Sequence, residues 1–213
     1  MIGVIADDLT GAAEIGAIGW RYGLRAEVIL NRQVGGEANL VCVDTDSRSC
    51  APAEAARRAE AAARLLACAG ARWIYKKVDS VLRGEVTREV EAAARKLGFG
   101  LALVVPANPS FGRVIRDGCY YIRDRPIHET EFAFDPEHPR LSCDVRDLVK
   151  PAKTLPIHVC RSRDTLPSSG IVIGEAETAM DLRRWAGKRS PELLPAGGAE
   201  FFAAIYQAVT AKG

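Results

Sequence analysis

Short apolar runs alternate with segments of helical periodicity along the first half of the chain. Five runs of four or five mostly apolar residues have the length and spacing of buried strands: 2–6, 26–30, 40–43, 73–76 and 101–105. Between them, apolar positions recur every three or four residues, which predicts helices at 10–22, 52–70 and 83–97. Strands that alternate with helices favour right-handed β-α-β units. The pattern therefore predicts an α/β fold with a mostly parallel sheet flanked by helices.

The pattern changes after the strand at 101–105. Residues 106–170 are rich in Pro, Gly, Arg and Asp, and they contain one predicted hairpin, 119–122 and 126–129. An irregular insertion of this size in a compact domain is typical of a functional loop region. Further ordered elements are predicted near the end of the sequence: strands at 157–161 and 171–173, a helix with a capping box at 178–181, and a last helix after the glycine pair at 197–198.

Two acids follow the first predicted strand directly. Asp7 and Asp8 precede Thr10 and Gly11 at a strand-to-helix turn, where α/β folds bind their ligands. A carboxylate at this place can orient a hydroxyl group or accept its proton, and the repulsion between two adjacent carboxylates favours a bound hydroxyl or cation. The alternative is a helix N-cap, in which the Asp and Thr side chains only accept the first backbone N–H groups.

The richest polar run follows the fourth predicted strand. Lys76 and Lys77 are followed by Asp79, Ser80 and Arg83. Two lysines at a strand end are costly to bury without anionic partners, and an arginine can hold a carboxylate through two parallel hydrogen bonds. Asp and Ser side chains can hold hydroxyl groups. These residue types predict a pocket for a small, polar, anionic molecule, and the alternative is a solvated loop with Ser80 as a helix cap.

Two later segments add candidate contacts. The Pro-rich loop after the strand at 101–105 contains Asn108 and Arg113, and Arg113 can provide a second anion-binding group. His128 and Glu131 follow the predicted hairpin, and His128 can carry a proton or donate a hydrogen bond. For both segments the alternative is structural: an ordinary Pro-rich turn, and a histidine that only stabilises the fold.

A D-x-D pattern follows the strand at 40–43. Asp44 and Asp46 have the spacing found in phosphatases with an aspartyl nucleophile. That pattern requires a small residue two places after the second Asp, where this chain has Arg48. The alternative is turn chemistry, because Asp and Ser side chains bond readily to their own backbone.

Composition and charge exclude several classes of protein. The chain has 213 residues, 48% of them hydrophobic, which is enough for one full core, and a net charge of +2 with no long basic run argues against a nucleic-acid partner. A signal peptide is not expected, and no apolar run approaches the ~20 residues of a membrane span. The six cysteines form no C-x-x-C pair and lie outside zinc-ligand spacing with the three histidines. We therefore expect no disulfide framework, no metal site and a cytoplasmic location.

Together these motifs resemble the four-carbon acid sugar kinase family, also known as the domain of unknown function DUF1537. The resemblance rests on runs in the family's order and spacing: ADDLTGAA at 6–13, DTDSR at 44–48, KKVDSVLRG at 76–84, GR at 112–113, G-x-x-Y at 118–121, HETEF at 128–132 and DP at 135–136. It covers nearly the whole chain. The family implies ATP-dependent phosphorylation of a sugar acid such as a tetronate or 3-oxo-tetronate.

The resemblance also implies a domain organisation. Family members are longer, with an amino-terminal sugar-acid domain and a carboxyl-terminal nucleotide domain, and residues 1–213 correspond to a single sugar-acid-binding domain without a Walker-type glycine loop. Glu200 stands where the family has glycine, and Gly174-Glu175-Ala176 stands where it has a strand-end Asp-Ala, both near the expected inter-domain cleft. ATP and Mg²⁺ are therefore expected only if a separate nucleotide-binding domain is supplied.

The resulting hypothesis is the substrate-binding half of a sugar-acid kinase. Asp8 would orient the reacting hydroxyl as a base, and Lys77, Arg83 and Arg113 would hold the carboxylate. Further substrate contacts are expected from Asp7, Lys76, Asp79, Ser80, Asn108, His128 and Glu131. The alternatives are a non-catalytic sugar-acid sensor or regulatory subunit, and the aspartyl phosphatase. Expected partners are the small sugar acid, a separate nucleotide-binding chain and further copies in an oligomer, with neither nucleic acid nor membrane.

Overall fold

The computed structural model describes residues 1–30 and 36–211. Its main sheet contains eight strands, and every neighbouring pair is parallel. These strands are β1 (Ile2–Ala6), β2 (Ala26–Ile29), β3 (Leu40–Asp44), β4 (Trp73–Lys77), β5 (Leu101–Val105), β9 (Ile157–Cys160), β10 (Gly170–Gly174) and β11 (Leu193–Gly197). Their order in space is β2-β3-β1-β4-β11-β5-β10-β9. The predicted α/β fold with a mostly parallel sheet is confirmed.

Helices cover both faces of this sheet. The long helices are α1 (Leu9–Arg21), α2 (Pro52–Cys68), α3 (Val86–Lys96), α5 (Ala179–Gly187) and α6 (Ala199–Thr210). Successive residues of a strand point to opposite faces, so Val4 packs into the layer formed by α1, α5 and α6, and Ile5 packs into the layer formed by α2 and α3. Burial on both faces explains the nearly continuous apolar strands of the sequence. Within the described residues, none of the helices is long and apolar enough to cross a membrane.

Two helix starts match their sequence signals. Pro52 is the first residue of α2, where its missing N–H costs no helical hydrogen bond. Thr178 and Asp181 form the predicted capping box at the start of α5, each side chain accepting a backbone N–H of the other's segment. Local chemistry therefore fixes these boundaries before tertiary packing is considered.

A second, antiparallel sheet lies within the irregular region. Its strands are β6 (Arg113–Arg116), β7 (Cys119–Ile122) and β8 (Arg125–Pro126), and a short helix α4 (Val145–Leu148) follows. Arg123 and Asp124 join β7 to β8 with φ of 49° and 65°, the left-handed geometry of a tight hairpin turn. The predicted hairpin is confirmed, although its second strand ends after two residues and a 3₁₀ helix, Ile127–Glu129, follows.

One pair of cysteines is bonded. Cys119 and Cys143 form a disulfide with their Cα atoms 4.8 Å apart. The expectation that the cysteines form no disulfide is therefore wrong for this pair. Its partners are 24 residues apart in sequence and meet only because an antiparallel bridge joins Cys119 to Asp144. Spacing along the chain could not show this contact.

The sequence pattern does not predict β11, which lies between β4 and β5 at the centre of the sheet. Pro195 in its middle argues against a central strand, because proline cannot donate a ladder hydrogen bond. The structure tolerates it because β11 pairs with β5 over all five residues but with β4 only at Ala196 and Gly197. Pro195 therefore lies before the two residues that pair with β4.

Candidate functional site

Three neighbouring strands end side by side with acids and bases. Ala6, the last residue of β1, pairs with Asp44 of β3 on one side and with Lys77 of β4 on the other. Asp7 and Asp8 therefore lie between the ends of β3 and β4. We call this region the charged edge, and it consists of the residues that follow or end these strands: Asp7, Asp8, Arg48, Lys77, Asp79, Ser80 and Arg83.

Arg48 joins the two acids. Its Nε lies 2.7 Å from Oδ2 of Asp7, and its Nη1 lies 2.7 Å from Oδ2 of Asp8. The other oxygen of Asp8 accepts the N–H of Gly11 at 2.8 Å, so Asp8 is also the N-cap of α1. Burial lowers the pKa of Arg48, but the hydrogen bond and charge of Asp7 outweigh burial and raise it. The cap and the charged site therefore share one carboxylate.

Asp79 organises the turn after β4. Its Oδ2 accepts hydrogen bonds from the backbone N–H of Val81 and from both the backbone and Nε of Arg83, and its Oδ1 accepts Nη2 of Arg83 at 3.0 Å. Burial raises the pKa of Asp79, but the bonds from Arg83 and the charge of Arg48 outweigh burial and hold this pKa below its usual range. Asp79 is therefore a buried, ionised anchor of the turn.

The same turn corrects the predicted start of α3. Leu82 and Gly84 have φ of 63° and 83°, and the helix begins at Val86 instead of Arg83. A Cβ at position 84 would lie 3.2 Å from the carbonyl oxygen of Arg48, so glycine suits both the conformation and the close approach. Arg83 is left in the turn before the helix.

The ion pairs form an alternating chain of charges. Arg48 Nη2 lies 3.7 Å from Oδ1 of Asp79, and Arg83 Nη1 lies 3.1 Å from Oδ2 of Asp135. The order is therefore Asp8, Arg48, Asp79, Arg83, Asp135. Arg48 and Asp135 were not among the predicted site residues, although both lie in runs that resemble the sugar-acid kinases. Their isolated positions in sequence gave no other sign that they would meet.

Lys76 lies beneath the charged edge. Its Nζ is 2.9 Å from Oε2 of Glu89 in α3, both side chains are 1% exposed, and Nζ also donates to the carbonyl of Lys77 at 2.8 Å. Burial raises the pKa of Glu89, and the charge of Lys76 offsets part of this. The expected direct contact between Lys76 and a substrate does not fit this position. The sequence analysis did not name Glu89 as a site residue, although an acid among the buried, mostly apolar positions of α3 is an unusual feature that could have indicated it.

Lys77 is held at the start of α1. Its Nζ lies 3.2 Å from Oε2 of Glu14 and donates to the carbonyl of Val78 at 3.1 Å. A Cβ at Gly11 would lie 3.3 Å from this ammonium, so the cation lies beside the first helical turn. The partly positive helix start and this cation already hold the carboxylates of Asp8 and Glu14.

Arg113 reaches the charged edge from β6. Its Nη1 donates to the hydroxyl of Ser80, and its guanidinium lies 5.8 Å from the centre of the Phe132 ring. The hydroxyl of Tyr120 donates to the carbonyl of Ser80 at 2.5 Å. Among the described residues, no carboxylate forms an ion pair with Arg113. The structure therefore brings Arg113 and Ser80 together and leaves the arginine with N–H donors for a ligand.

Arg140 is a second cation near these acids, and it was missed. It is 7% exposed and donates to the carbonyls of His138 and Leu148 at 2.9 and 3.0 Å. Burial lowers the pKa of Arg140, and the negative charges of Asp79 and Asp135 offset part of this. Its first role is to hold the backbone around residues 138–148.

Asn108 supports α6 instead of facing an open cleft. It is 3% exposed, and its Oδ1 accepts the N–H of Glu200 at 3.2 Å. The carboxylate of Glu200 accepts both the backbone N–H and the hydroxyl of Ser110. The expected substrate contact of Asn108 does not fit this capping role.

His128 and Glu131 lie in two short 3₁₀ helices after β8. Nδ1 of His128 is buried without a hydrogen-bond partner in the described part of the chain, and Glu131 is exposed. In that part of the chain, no hydrogen bond or ion pair joins either side chain to the charged edge. The structure does not bring these two candidates into the network.

The D-x-D pattern has the geometry of a turn. Oδ1 of Asp44 accepts the N–H of Asp46 at 2.8 Å, and the Asp46 side chain is 95% exposed. Burial raises the pKa of Asp44. Both residues line a cavity of about 950 Å³ together with Arg58 of α2. The turn interpretation accounts for the bond between Asp44 and Asp46, and Arg58 also contacts Asp46, with Nη1 3.7 Å from Oδ2 and bonded to the carbonyl.

Comparison with known proteins identifies relatives. A family model described as a sugar-binding N-terminal domain matches residues 2–205. A D-threonate kinase from Bordetella bronchiseptica is 40% identical over 148 residues, which are 65% of this chain and 36% of the relative. A D-erythronate kinase from Heliobacterium modesticaldum is 36% identical over 152 residues, 68% of this chain and 35% of the relative. The chain therefore spans little more than a third of the length of these curated relatives.

Solved structures share the fold. A DUF1537 protein from Bordetella bronchiseptica, crystallised with bound citrate as a domain-swapped dimer, superimposes with a TM-score of 0.83 at 29% identity and covers 100% of this chain and 57% of that one. A Haemophilus influenzae protein has a TM-score of 0.85 at 19% identity, a likeness of fold alone. The resemblance drawn from the motifs is confirmed. The chain belongs to the sugar-binding N-terminal domain family.

Proposed function

We propose that residues 1–213 form a sugar-acid-binding domain that holds a tetronate or 3-oxo-tetronate for ATP-dependent phosphorylation. The observation that carries the proposal is the charged edge, where cations and carboxylates meet at the ends of three adjacent strands. A hydroxy acid offers a carboxylate to the cations and hydroxyl groups to the carboxylates. The names of the relatives and the citrate in the Bordetella structure support this chemistry.

Arg113 and Lys77 are the groups that we assign to the substrate carboxylate. Arg113 has no carboxylate partner among the described residues, and its planar guanidinium can make two parallel hydrogen bonds to a carboxylate. Lys77 adds a point charge beside the start of α1. Arg83 was expected to share this role, but it already bonds Asp79 and Asp135. We therefore assign Arg83 to positioning Asp79 and the neighbouring Ser80.

Asp8 is the base that we assign to the reacting hydroxyl. Its Oδ2 accepts one bond from Arg48, and a carboxylate oxygen can accept a second bond on its other lone pair. Arg48 fixes the orientation of this oxygen. The side chain is a quarter exposed, whereas that of Asp7 is 4% exposed. Asp8 is therefore the more accessible of the two acids for a substrate hydroxyl.

Phosphate transfer needs a nucleotide and Mg²⁺, which we propose come from a nucleotide-binding partner. Residues 1–213 contain no Walker-type glycine loop. Within 1–30 and 36–211, no three His, Cys, Asp or Glu side chains are grouped to hold a metal ion. The residues of this chain are therefore assigned only substrate binding, orientation and removal of the hydroxyl proton. We also propose a cytoplasmic location.

Calorimetry with matched ligands tests the proposal. We expect D-threonate or D-erythronate to bind more tightly than the neutral tetritols by about 1.5–3 kcal/mol, the worth of a charge-assisted hydrogen bond. Equal affinities would contradict the sugar-acid assignment. Addition of a nucleotide domain from a D-threonate kinase with ATP and Mg²⁺ then separates the two functional hypotheses. Turnover supports the kinase half, and binding without turnover supports the sensor.

A further inference from the structure

A segment between the two bonded cysteines reaches the charged edge. We call residues 123–142 the strap. Its Asp135 lies 3.1 Å from Arg83, which in turn holds Asp79, and its Glu137 accepts a hydrogen bond from Ser49. These contacts connect the strap to the turns that follow β3 and β4. The position of the strap therefore affects how firmly Arg83 and Asp79 are held.

Hydrogen bonds between side chains and the backbone order the part of the strap around residues 135–140. Asp135 accepts the N–H groups of Glu137 and His138, and Arg140 donates to the carbonyls of His138 and Leu148. The side chain of Arg140 is buried, at 7% exposure, whereas its neighbour Leu141 is 78% exposed. Opening of the strap would therefore expose the peptide bond after Arg140.

The Cys119–Cys143 disulfide closes the base of the strap. Two backbone hydrogen bonds flank it, from Tyr120 to the carbonyl of Cys143 at 2.7 Å and from Val145 to the carbonyl of Gly118 at 2.8 Å. Both cysteines are only partly buried. The bond is therefore within reach of small thiols.

We propose that this disulfide is a redox clasp that sets the affinity of the charged edge for its ligand. The affinity part rests on the proposed function. In a reducing cytoplasm the two thiols are free. Glutathione disulfide oxidises them by two thiol–disulfide exchanges, which form one protein S–S bond and release two molecules of glutathione. A dithiol reverses the reaction and becomes a cyclic disulfide.

The closed clasp stabilises the site by limiting the motion of the strap. A cross-link removes conformations in which the ends of the enclosed segment separate. With the clasp closed, Asp135 stays on Arg83, and Arg83 stays on Asp79. With the clasp open, the strap detaches more often, and a ligand must spend binding energy to order it again.

Trypsin cleavage after Arg140 tests the clasp without any ligand. The protein is prepared with glutathione disulfide or with dithiothreitol, and thiols are counted after denaturation. We expect four thiols in the oxidised protein and six in the reduced one. We expect cleavage after the buried Arg140 to accelerate by about tenfold on reduction, and cleavage after the exposed Arg163, which lies outside the strap, to change little.

Variants and ligand binding complete the test. A C119S/C143S variant should behave as the reduced protein under both conditions, and the C68S control should respond as the wild type. Tetronate affinity should fall by about three- to tenfold on reduction. Six thiols after oxidation, or equal cleavage after Arg140 in both states, would overturn the clasp. Unequal cleavage with unchanged tetronate affinity would overturn its effect on the site. Absence of tetronate binding in both states would contradict the proposed function, while the cleavage result still decides whether the clasp closes.

Discussion

Two halves of one sheet edge are built in opposite ways. At the ends of β3, β1 and β4, the charged edge consists of long side chains that hold one another by ion pairs. At the ends of β11 and β5, backbone groups approach closely: Gly198 donates to the carbonyl of Val105 at 3.0 Å, and Tyr75 donates to the carbonyl of Gly198 at 2.7 Å. We call this second half the packed edge, and it consists of Val105, Asn108, Gly197, Gly198 and Glu200.

The difference shows where a polar ligand can bind. The packed edge satisfies its polar groups internally, as when Asn108 accepts the N–H of Glu200. Arg113, which reaches the charged edge, has no carboxylate partner among the described residues, and Lys77 has a donor beyond those that bond Glu14 and Val78. Both halves lie at the carboxyl ends of parallel strands, so position in the fold does not distinguish them. What distinguishes the two halves is the presence of cations that still have N–H donors for a ligand.

The largest expected effect comes from removing the centre of the charged edge. Arg48→Ala leaves Asp7 and Asp8 without their shared cation, and breaking a buried ion pair costs about 3–5 kcal/mol. We expect a loss of this size in the free energy of unfolding, measured with urea. The control is Arg25→Ala, which breaks an exposed pair with Glu37 and should cost less than about 1 kcal/mol. Equal effects would mean that the charged edge is no more than a solvated surface.

Arg113→Ala tests whether unused charge marks the ligand site. We expect tetronate binding to weaken by about 1.5–3 kcal/mol with little change in unfolding free energy, because Arg113 has no carboxylate partner among the described residues. Arg113→Lys should restore only part of the affinity, since an ammonium cannot make the bidentate contact. The exposed Arg163→Ala is the control, measured by calorimetry. Unchanged affinity in Arg113→Ala would remove Arg113 from the site.

Gly198→Ala tests the packed edge. A Cβ there would lie 2.7 Å from both Oδ1 of Asn108 and the carbonyl oxygen of Pro106. Overpacking of this kind costs about 1–3 kcal/mol, and we expect that loss in urea unfolding. Gly100→Ala is the matched control, because no atom lies within 4 Å of its Cβ position. A neutral Gly198→Ala would show that the packed edge is loose enough to move.

The smallest expected effect is a decrease in the free energy of unfolding at low pH. Burial raises the pKa of Asp79, but its arginine partners lower it further, and backbone N–H groups led by that of His138 lower the pKa of Asp135. Carboxylates with lowered folded pKa values stabilise the fold above their unfolded pKa of about 3.9 and lose this effect as pH falls toward the folded value. We expect the unfolding free energy to decrease below about pH 4. Asp79→Asn should flatten this decrease, and the exposed Asp124→Asn should not.

The sequence predicted the strands of the charged edge well. β1, β3 and β4 and the polar residues after them were expected within one residue, because an apolar run followed by Asp or Lys marks both the strand and its end. The sequence could not show which charge binds which. From the sequence, Arg83 could either contact a ligand or bond Asp79. In the structure, the left-handed turn at Leu82 places Arg83 on Asp79.

Contacts between distant segments explain the other omissions. Asp135 lies 52 residues from Arg83, so local patterns contain little information about this pair. The disulfide was not predicted for the same reason, because its two cysteines are 24 residues apart in sequence. By contrast, the capping box at Thr178 is formed within four residues and was predicted correctly.

The central position of β11 has a consequence for synthesis of the chain. The strands on either side of it, β4 and β5, leave the ribosome long before residues 193–197 do. At about 5–20 residues per second, each presents an unpaired edge for on the order of ten seconds. Until β10 (Gly170–Gly174) is made, β5 lacks both of its neighbours in the sheet, and β4 has only β1. The edges of β4 and β5 are therefore open to pairing with another chain until β11 inserts between them.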